Sequence, residues 1–207
     1  MSMASLQVIF FFLLALVAVG VFASDPELVS DFAANPAAIN ASFFTFTGFR
    51  SDVTAPAGTF LVKKASLAEF PGLNGLGVSM AKLSYQPGTT NPPHIHPRGA
   101  ELLFVLQGSL SVGLLDTTNK LFVQKLEMGD MFVFPKGLVH FQFNDGQHEA
   151  KAISAFGSSN AGTVSLPVTL FGSGIDDQIL SKAFKVSTDT VKTLKNALAV
   201  KKTARKL

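Results

Sequence analysis

The stretch TNPPHIHPRGAE, residues 90–101, decides the interpretation of this chain of 207 residues. It places His94 and His96 two positions apart, and on an extended strand such side chains point to the same face. Two prolines directly before them favour extended backbone. The stretch ends at Glu101, which opens a strongly apolar segment where a carboxylate is costly to desolvate unless it is paired or bound to a cation. The pattern therefore places two imidazoles and a carboxylate close together.

A third histidine, His140, lies between Val139 and Phe141 in a second apolar run. A metal ion held inside the fold would explain all three imidazoles and the carboxylate. Neutral imidazoles and a carboxylate, without thiolates, suit manganese or iron and are acceptable to zinc or copper. Two simpler explanations stay open on the residues alone. The histidines could be hydrogen-bonded core residues, and Glu101 could pair with Arg98.

Short runs rich in Val, Leu and Phe alternate with turn residues around these positions, which is the pattern of an all-β sandwich or barrel. The composition agrees, with 47% hydrophobic residues, 15% charged residues and 20 Phe. The runs predict strands at residues 59–62, 77–85, 101–106, 109–115, 121–126, 131–134, 139–143, 151–156 and 164–170. The third and fourth of these are predicted to form a hairpin about Gln107 and Gly108.

Beyond Gly174 the periodicity becomes helical. Apolar residues form one face of each of two short helices: Ile179, Leu180, Ala183 and Phe184 in the first, and Val191, Leu194, Ala197 and Leu198 in the second. Ser187 or Thr188 can cap the second helix. We predict four regions: a signal peptide (1–23), an N-terminal arm (24–58), a β-barrel (59–172) and a C-terminal helical region with a basic tail (173–207).

Residues 6–22 carry no charge and are almost wholly apolar, and a small-residue cleavage site follows at Ala23. This predicts a secretory signal and an extracellular mature protein. An uncleaved membrane anchor is the alternative, because the run approaches spanning length, but no basic stop-transfer cluster follows. Asn40 begins the sequon Asn40-Ala41-Ser42, which predicts N-glycosylation.

The charge and the cysteine count exclude several functions. The net charge is +3, and much of the excess lies near the C-terminus, at Lys195, Lys201, Lys202, Arg205 and Lys206. That tail is either a solvated end or a contact for anionic surfaces such as cell-wall polymers. A basic patch with interleaved aromatic residues would indicate nucleic-acid binding, and the sequence contains none. The absence of cysteine excludes a disulfide, a zinc-thiolate site and a thiol nucleophile.

The spacing of the site residues resembles a known superfamily. Five residues match the first cupin motif: Gly88, His94, His96, Glu101 and Gly108. Five more match the second: Gly129, Pro135, Gly137, His140 and Asn144. The strings TNPPHIHPRGAE and FPKGLVHFQFN closely resemble germins and germin-like proteins of plants, and the resemblance runs from about residue 42 to the C-terminus.

This resemblance implies a single cupin (jelly-roll) β-barrel with C-terminal α-helices. It implies Mn²⁺ bound by His94, His96, Glu101 and His140, in a protein secreted to the apoplast. It also implies a homo-oligomer, a hexamer built as a trimer of dimers, in which the C-terminal helices clasp neighbouring subunits.

Two departures from the germin pattern bear on the expected properties. Germins usually carry a cysteine pair near the mature N-terminus, and its absence here implies an arm that is either looser or differently placed. Germins with oxalate oxidase activity place two asparagines near the metal to orient oxalate. Asn91 matches one of them as a candidate substrate-orienting residue, but the other falls at Ala81, whose methyl group cannot donate a hydrogen bond. We therefore expect little or no oxalate oxidase activity.

Three functions are compatible with the sequence. The first is manganese-dependent superoxide dismutation in the cell wall, with a role in plant defence or wall structure. The second is a non-catalytic extracellular binding or structural protein, whose metal stabilises the fold and which binds a cell-wall or small-molecule ligand. The third is another cupin, such as a seed storage protein, although one cupin domain rather than two argues against it.

Overall fold

The computed structural model describes Asp25 and residues 28–199. The predicted signal peptide, residues 1–23, and the end of the basic tail, residues 200–207, lie outside the described residues. Within the part of the chain that is described, no helix is long and apolar enough to cross a membrane.

The described residues form two five-stranded sheets, and every paired strand is antiparallel to its neighbours. The strands are β1 (Phe60–Ala65), β2 (Ser79–Tyr85), β3 (Thr90–Ile95), β4 (Glu101–Gln107), β5 (Ser109–Leu115), β6 (Leu121–Glu127), β7 (Met131–Phe134), β8 (His140–Phe143), β9 (Ala150–Phe156) and β10 (Val164–Ser165). The first sheet has the order β1-β2-β9-β4-β7, and the second has the order β10-β3-β8-β5-β6. The predicted all-β class is confirmed.

The hydrophobic core lies where alternate residues of the strands meet. On β4, Leu103 and Val105 are fully buried, whereas Leu102, which lies between Glu101 and Leu103, is exposed. This alternation is what the two-residue period of a strand requires. Burying a Val or Leu side chain contributes roughly 1.5–3 kcal/mol to folding. The cluster comprises Leu83, Tyr85, Leu103, Val105, Leu110, Val112, Leu126, Phe134, Ala150 and Ala152.

The hairpin predicted about Gln107 and Gly108 is wrong. β4 pairs with β7 and β9 in the first sheet, whereas β5 pairs with β6 and β8 in the second. Gly108 has φ +72°, and a Cβ there would lie 3.0 Å from the carbonyl oxygen of Glu149. The glycine therefore lets the chain cross from one sheet to the other rather than reverse within one sheet.

The strand predicted over residues 164–170 is also mostly wrong. β10 ends at Ser165, and helix α1 (Leu166–Phe171) follows at once. Pro167 lies in the first turn of that helix, where its missing N–H costs no hydrogen bond. An apolar run of this length does not distinguish a strand from a helix by its periodicity.

Both predicted C-terminal helices are confirmed, as α2 (Asp177–Phe184) and α3 (Thr188–Leu198). Ser187 caps α3 by accepting a hydrogen bond from the backbone N–H of Thr190. Asp176 caps α2 in the same way. Before β1, the chain forms two short 3₁₀ turns (Pro36–Ala38 and Ala41–Phe44), and a third (Pro71–Leu73) precedes β2.

Candidate metal centre

The four side chains predicted as metal ligands converge between the two sheets. His94 on β3 lies directly opposite His140 on β8 in the second sheet, and Glu101 is the first residue of β4 in the first sheet. His96 follows the end of β3. All four are buried, and their candidate ligand atoms lie within 4.8 Å of one another.

An irregularity in β3 sets the position of His94. The pairing of β3 with β8 shifts register between Asn91 and His94, where the two prolines interrupt the ladder. Beyond it, the two-residue spacing brings the rings of His94 and His96 to 5.0 Å between centroids. The same spacing argument applied to the sequence predicted this shared face.

Backbone carbonyl groups orient all three imidazoles. In each ring Nδ1 lies at hydrogen-bond distance from a carbonyl oxygen, and because such an oxygen can only accept, Nδ1 carries the proton. Each Nε2 therefore faces the cluster, which is the arrangement of metal-binding histidines. The three Nδ1–oxygen contacts are His94 to Pro92 at 2.8 Å, His140 to Leu138 at 2.8 Å and His96 to Gly162 at 2.5 Å.

The carboxylate of Glu101 closes the cluster. Its Oε2 lies 2.9 Å from Nε2 of His96 and 3.2 Å from Nε2 of His140. Its other oxygen, Oε1, accepts a hydrogen bond of 2.6 Å from the hydroxyl of Ser154. The lone pairs of two ring nitrogens and a carboxylate oxygen repel one another unless a proton or a cation lies between them. This donor set therefore fits a divalent metal ion.

The alternative pairing of Glu101 with Arg98 does not occur. The Arg98 guanidinium instead donates to Asn160, through Nε to the backbone oxygen at 2.5 Å and through a terminal nitrogen to Oδ1 at 3.0 Å. Glu101 thus keeps both oxygens for the histidines and Ser154.

The protonation states at neutral pH also suit a metal. Burial opposes ionisation of Glu101, but the close contacts with His140 and His96 hold the pKa of this carboxyl well below its usual range. Burial, together with the neighbouring His140, lowers the pKa of His94 from 6.5 to about 4. Glu101 is therefore a carboxylate and His94 a neutral imidazole, which are the forms that bind metals.

A cavity of about 320 Å³ opens onto one side of the cluster. His94, His96 and Glu101 border it, whereas His140 lies behind them with its ring stacked on Phe134 at 4.4 Å between centroids. Ala81 is only 2% exposed and presents its methyl group to this cavity. The metal position is thus open to small molecules from the cavity side.

Asn91, predicted to orient a substrate, does border the cavity. Its Nδ2 lies 3.4 Å from Nε2 of His94 and donates a hydrogen bond of 2.8 Å to Oε1 of Gln142. Asn40, the predicted glycosylation site, is exposed, and its Oδ1 accepts from Ser42. His148 is also exposed and contributes nothing to the cluster.

The sequence analysis missed Gln142, Tyr85 and Ser154. Gln142 is fully buried, its Oε1 lies 3.4 Å from the hydroxyl of Tyr85, and its Nε2 has no hydrogen-bond partner among the described residues. Burial, reinforced by the charge of Glu101, raises the pKa of Tyr85 well above its usual value. One signal was available for Gln142, because it lies two residues after His140 in an apolar strand and so points to the same face.

Comparison with known proteins identifies the family of this chain. The family model described as Cupin matches residues 50–192. Germin-like protein 9-3 of Oryza sativa subsp. japonica is 53% identical over 194 residues, which cover 89% of this chain and 91% of that protein. Germin-like protein 9-1 of the same organism is 49% identical, covering 84% of this chain and 73% of its own length.

A solved structure of an oxalate oxidase is similar in fold as well as in sequence. It superposes with a TM-score of 0.77 at 38% identity, over 85% of this chain and 98% of the other. The chain therefore belongs to the germin-like proteins of the cupin superfamily. The jelly-roll cupin fold predicted from the two motifs is confirmed.

Proposed function

We propose that this protein is secreted to the apoplast, binds manganese through His94, His96, Glu101 and His140, and dismutates superoxide there. The observation that carries the proposal is the cluster of three histidines and one glutamate, buried and yet open to a cavity on one side. Its ligand chemistry suits manganese or iron, and an ion held there would be accessible to small molecules from the cavity.

Bound manganese supplies one-electron redox chemistry. In dismutation one superoxide ion loses an electron and becomes dioxygen, and a second takes up that electron with two protons and becomes hydrogen peroxide. The protein side chains hold the metal, and the carbonyl groups of Pro92, Leu138 and Gly162 keep the three Nε2 atoms directed at it. Asn91 places one amide N–H group at the cavity wall beside His94.

Oxalate oxidation does not suit this cavity. Germins that oxidise oxalate use two asparagines, and here Asn91 is present whereas Ala81 presents a methyl group. Apolar side chains of Val62 and Leu83 also line the wall. The second carboxylate of oxalate would therefore lack one of the two amide donors that orient it in those germins, which removes part of the positioning that the oxidation needs. Oxalate oxidase activity thus stays with the solved relative and is not part of this proposal.

The test is metal analysis of the secreted protein, paired with assays of dismutation and of peroxide release from oxalate. We expect about one manganese per chain, dismutation that is lost on chelation, and no peroxide from oxalate. His140→Ala should lose both metal and activity. His148→Ala is the matched control, because its ring is exposed and outside the cluster. Ready peroxide release from oxalate, or a metal-free secreted protein, would contradict the proposal.

A second candidate function is non-catalytic, with a structural metal that stabilises the folded protein. The observation that favours it is that the ligands join both sheets, with Glu101 on the first and His94 and His140 on the second. A metal at 1,000 times its Kd stabilises the folded state by about 4 kcal/mol, which corresponds to a rise in Tm of roughly 8–16 °C. Equal stabilisation by zinc and manganese, without dismutation by the manganese form, would favour this candidate.

A further inference from the structure

The loop between β9 and β10, residues 157–163, contacts both the metal cluster and the cavity. The carbonyl oxygen of Gly162 orients the ring of His96 through Nδ1. Four residues of the loop line the cavity: Asn160, Ala161, Gly162 and Thr163. A displacement of this loop would therefore change the orientation of a metal ligand and the shape of the cavity together.

Part of the loop is fixed by bonds from the barrel to its carbonyl groups. Arg98 donates its backbone N–H to the carbonyl oxygen of Ala161 at 3.1 Å and its Nε–H to that of Asn160 at 2.5 Å. The hydroxyl of Ser79 on β2 donates to the carbonyl oxygen of Ser158 at 2.6 Å. These bonds leave the donor groups at the start of the loop to be satisfied from elsewhere.

An aspartate of the N-terminal arm accepts from those donors. Asp25 Oδ1 accepts from the hydroxyl of Ser158 at 2.5 Å, and Oδ2 accepts from the backbone N–H of Ser159 at 2.6 Å. Both serines are buried, and a buried donor without an acceptor costs free energy comparable to a lost hydrogen bond. Burial opposes ionisation of Asp25, but these two hydrogen bonds hold its pKa below the usual value. The carboxylate is thus a charged acceptor that holds the start of the loop.

The contact joins distant parts of the chain, because 133 residues separate Asp25 from Ser158. The predicted signal cleavage after Ala23 would leave Asp25 as the second residue of the mature protein. Three residues later, Leu28 packs against Gly75, where a Cβ would lie 2.5 Å from Cδ2 of the leucine. The start of the arm is therefore held against the barrel without the cysteine pair that germins usually carry.

We infer that Asp25 is a positioning residue for the metal centre. By holding Ser158 and Ser159 it fixes the loop whose Gly162 carbonyl orients His96, so it acts through the loop and not as a ligand. The inference rests on the metal binding of the proposed function and not on superoxide dismutation. It makes the start of the N-terminal arm, and not only the barrel, part of the metal centre.

The experiment compares Asp25→Ala with Asp52→Ala in the secreted protein. Asp52 lies in the same arm and binds Lys151 at 2.5 Å, at the opposite end of β9 from Phe156, which pairs with Glu101. Each variant frees the arm from the barrel at one point, but only Asp25→Ala frees the loop. Mass spectrometry verifies that the N-terminus is unchanged, because residue 25 lies close to the predicted cleavage position.

Chelator competition should show manganese affinity about tenfold lower in Asp25→Ala, at the lower end of the range for residues that hold metal ligands indirectly. The affinity of Asp52→Ala should equal that of the wild type. The electron paramagnetic resonance spectrum of fully loaded Asp25→Ala should also differ from the wild-type spectrum, because the His96 ring turns. Loss of stability alone does not produce that change. In the chelator-treated proteins, amide hydrogen exchange across residues 157–163 should be faster in Asp25→Ala only.

The inference is overturned if Asp25→Ala matches the wild type in affinity and spectrum, or if the two variants lose affinity equally. If Asp25→Ala is not secreted, Asp25→Asn replaces it in the same comparison, with a smaller loss, because the amide keeps one acceptor oxygen and loses the charge. Failure of the proposed function looks different. A wild type without manganese would remove that proposal, and the hydrogen-exchange comparison, which needs no metal, would still decide whether Asp25 fixes the loop.

Discussion

Two buried serines on neighbouring strands form the same kind of contact in different surroundings. Ser154 on β9 donates to Glu101 in the metal cluster, and Ser84 on β2 donates to Glu149 outside it, both at 2.6 Å. Removing a hydrogen bond from a metal-binding carboxylate typically costs 10–100-fold in metal affinity. We predict a loss of about that size for Ser154→Ala, measured by competition with a chelator.

Ser84→Ala is the control for this prediction. It removes the bond to Glu149 and leaves the buried N–H of Ala55 without its acceptor, so it should lower the free energy of unfolding by about 1–3 kcal/mol. Its manganese affinity should equal that of the wild type. Equal losses of affinity in the two variants would mean that Ser154 acts through stability alone and not through Glu101.

His94 determines how the metal-free protein responds to mild acid. Its pKa is about 4 when folded and 6.5 when unfolded, so the unfolded state binds more protons between those values. Stability should therefore fall as the pH falls from about 6.5 to about 4, by up to about 3 kcal/mol at 1.36 kcal/mol per unit. Urea unfolding of the chelator-treated protein at a series of pH values measures this.

His94→Gln is the comparison for that pH series, because an amide does not titrate. Its unfolding free energy should change less over the same interval. Glu101 adds a loss of the same sign at lower pH, because its depressed pKa stabilises the folded state only while the carboxylate is ionised. A wild-type profile no steeper than that of His94→Gln between pH 6.5 and 4 would contradict the assignment.

At the scale of secondary-structure elements, the local sequence pattern predicted most strands. It failed where two consecutive strands belong to different sheets. β5 and β7 have the predicted bounds, because turn residues mark both ends of each run. The connection at Gln107 and Gly108 looks like a hairpin, but whether two successive strands pair or separate depends on β7, β8 and β9, which come later in the chain. Pairing of this kind is a tertiary property that a local pattern does not contain.

The same distinction between local pattern and tertiary structure separates the site residues that were predictable from those that were not. His94, His96, Glu101 and His140 were predictable because titratable groups in apolar runs need partners. Ser154 and Gly162 were not predictable. Each contacts the cluster from the region after β8, and neither belongs to a sequence pattern that indicates metal binding. Only the assembled sheets bring these polar groups to the ligands they support.

The loop between β9 and β10 supplies one of the three orienting carbonyls, from Gly162 at φ +70°. An alanine there is strained at that φ, by about 1–2 kcal/mol, and its Cβ would meet the Arg98 guanidinium at 2.6 Å. We predict that Gly162→Ala shifts the carbonyl that orients His96 and lowers manganese affinity at least severalfold. Chelator competition measures the change.

Gly174→Ala is matched to this variant, because it has φ +90° and open space around a Cβ. It lies in the connection between α1 and α2, away from the cluster. It should carry a similar backbone strain and lower Tm, with manganese affinity unchanged. If both glycine variants bind manganese equally well, the carbonyl of Gly162 does not control the orientation of His96.

At the scale of the whole molecule, two of the apolar surfaces exposed among the described residues suit contacts between subunits. The first is the outer face of the first sheet, where the exposed Leu102 lies opposite the exposed Val133, and the half-buried Phe104 lies opposite the exposed Met131. The second is on the C-terminal helices, where Ile179 and Leu194 are exposed. A trimer of dimers requires two different kinds of contact between subunits. Contiguous exposed apolar surface of this kind is typical of such contacts.

We therefore predict that the secreted protein is a hexamer, as the germin resemblance implied, and that it uses both surfaces. Val133→Asp and Ile179→Asp introduce a charge at positions that are 55% and 61% exposed, so each should fold. Each should break one kind of contact, because burying an unpaired carboxylate is costly. The two variants should therefore yield assemblies of fewer than six copies, and the number of copies should differ between them. Size-exclusion chromatography with light scattering measures this number.

Val29→Asp is the control, because Val29 is exposed and lies in the N-terminal arm, and this variant should stay hexameric. A wild-type monomer, or hexamers in both variants, would show that these surfaces do not mediate assembly.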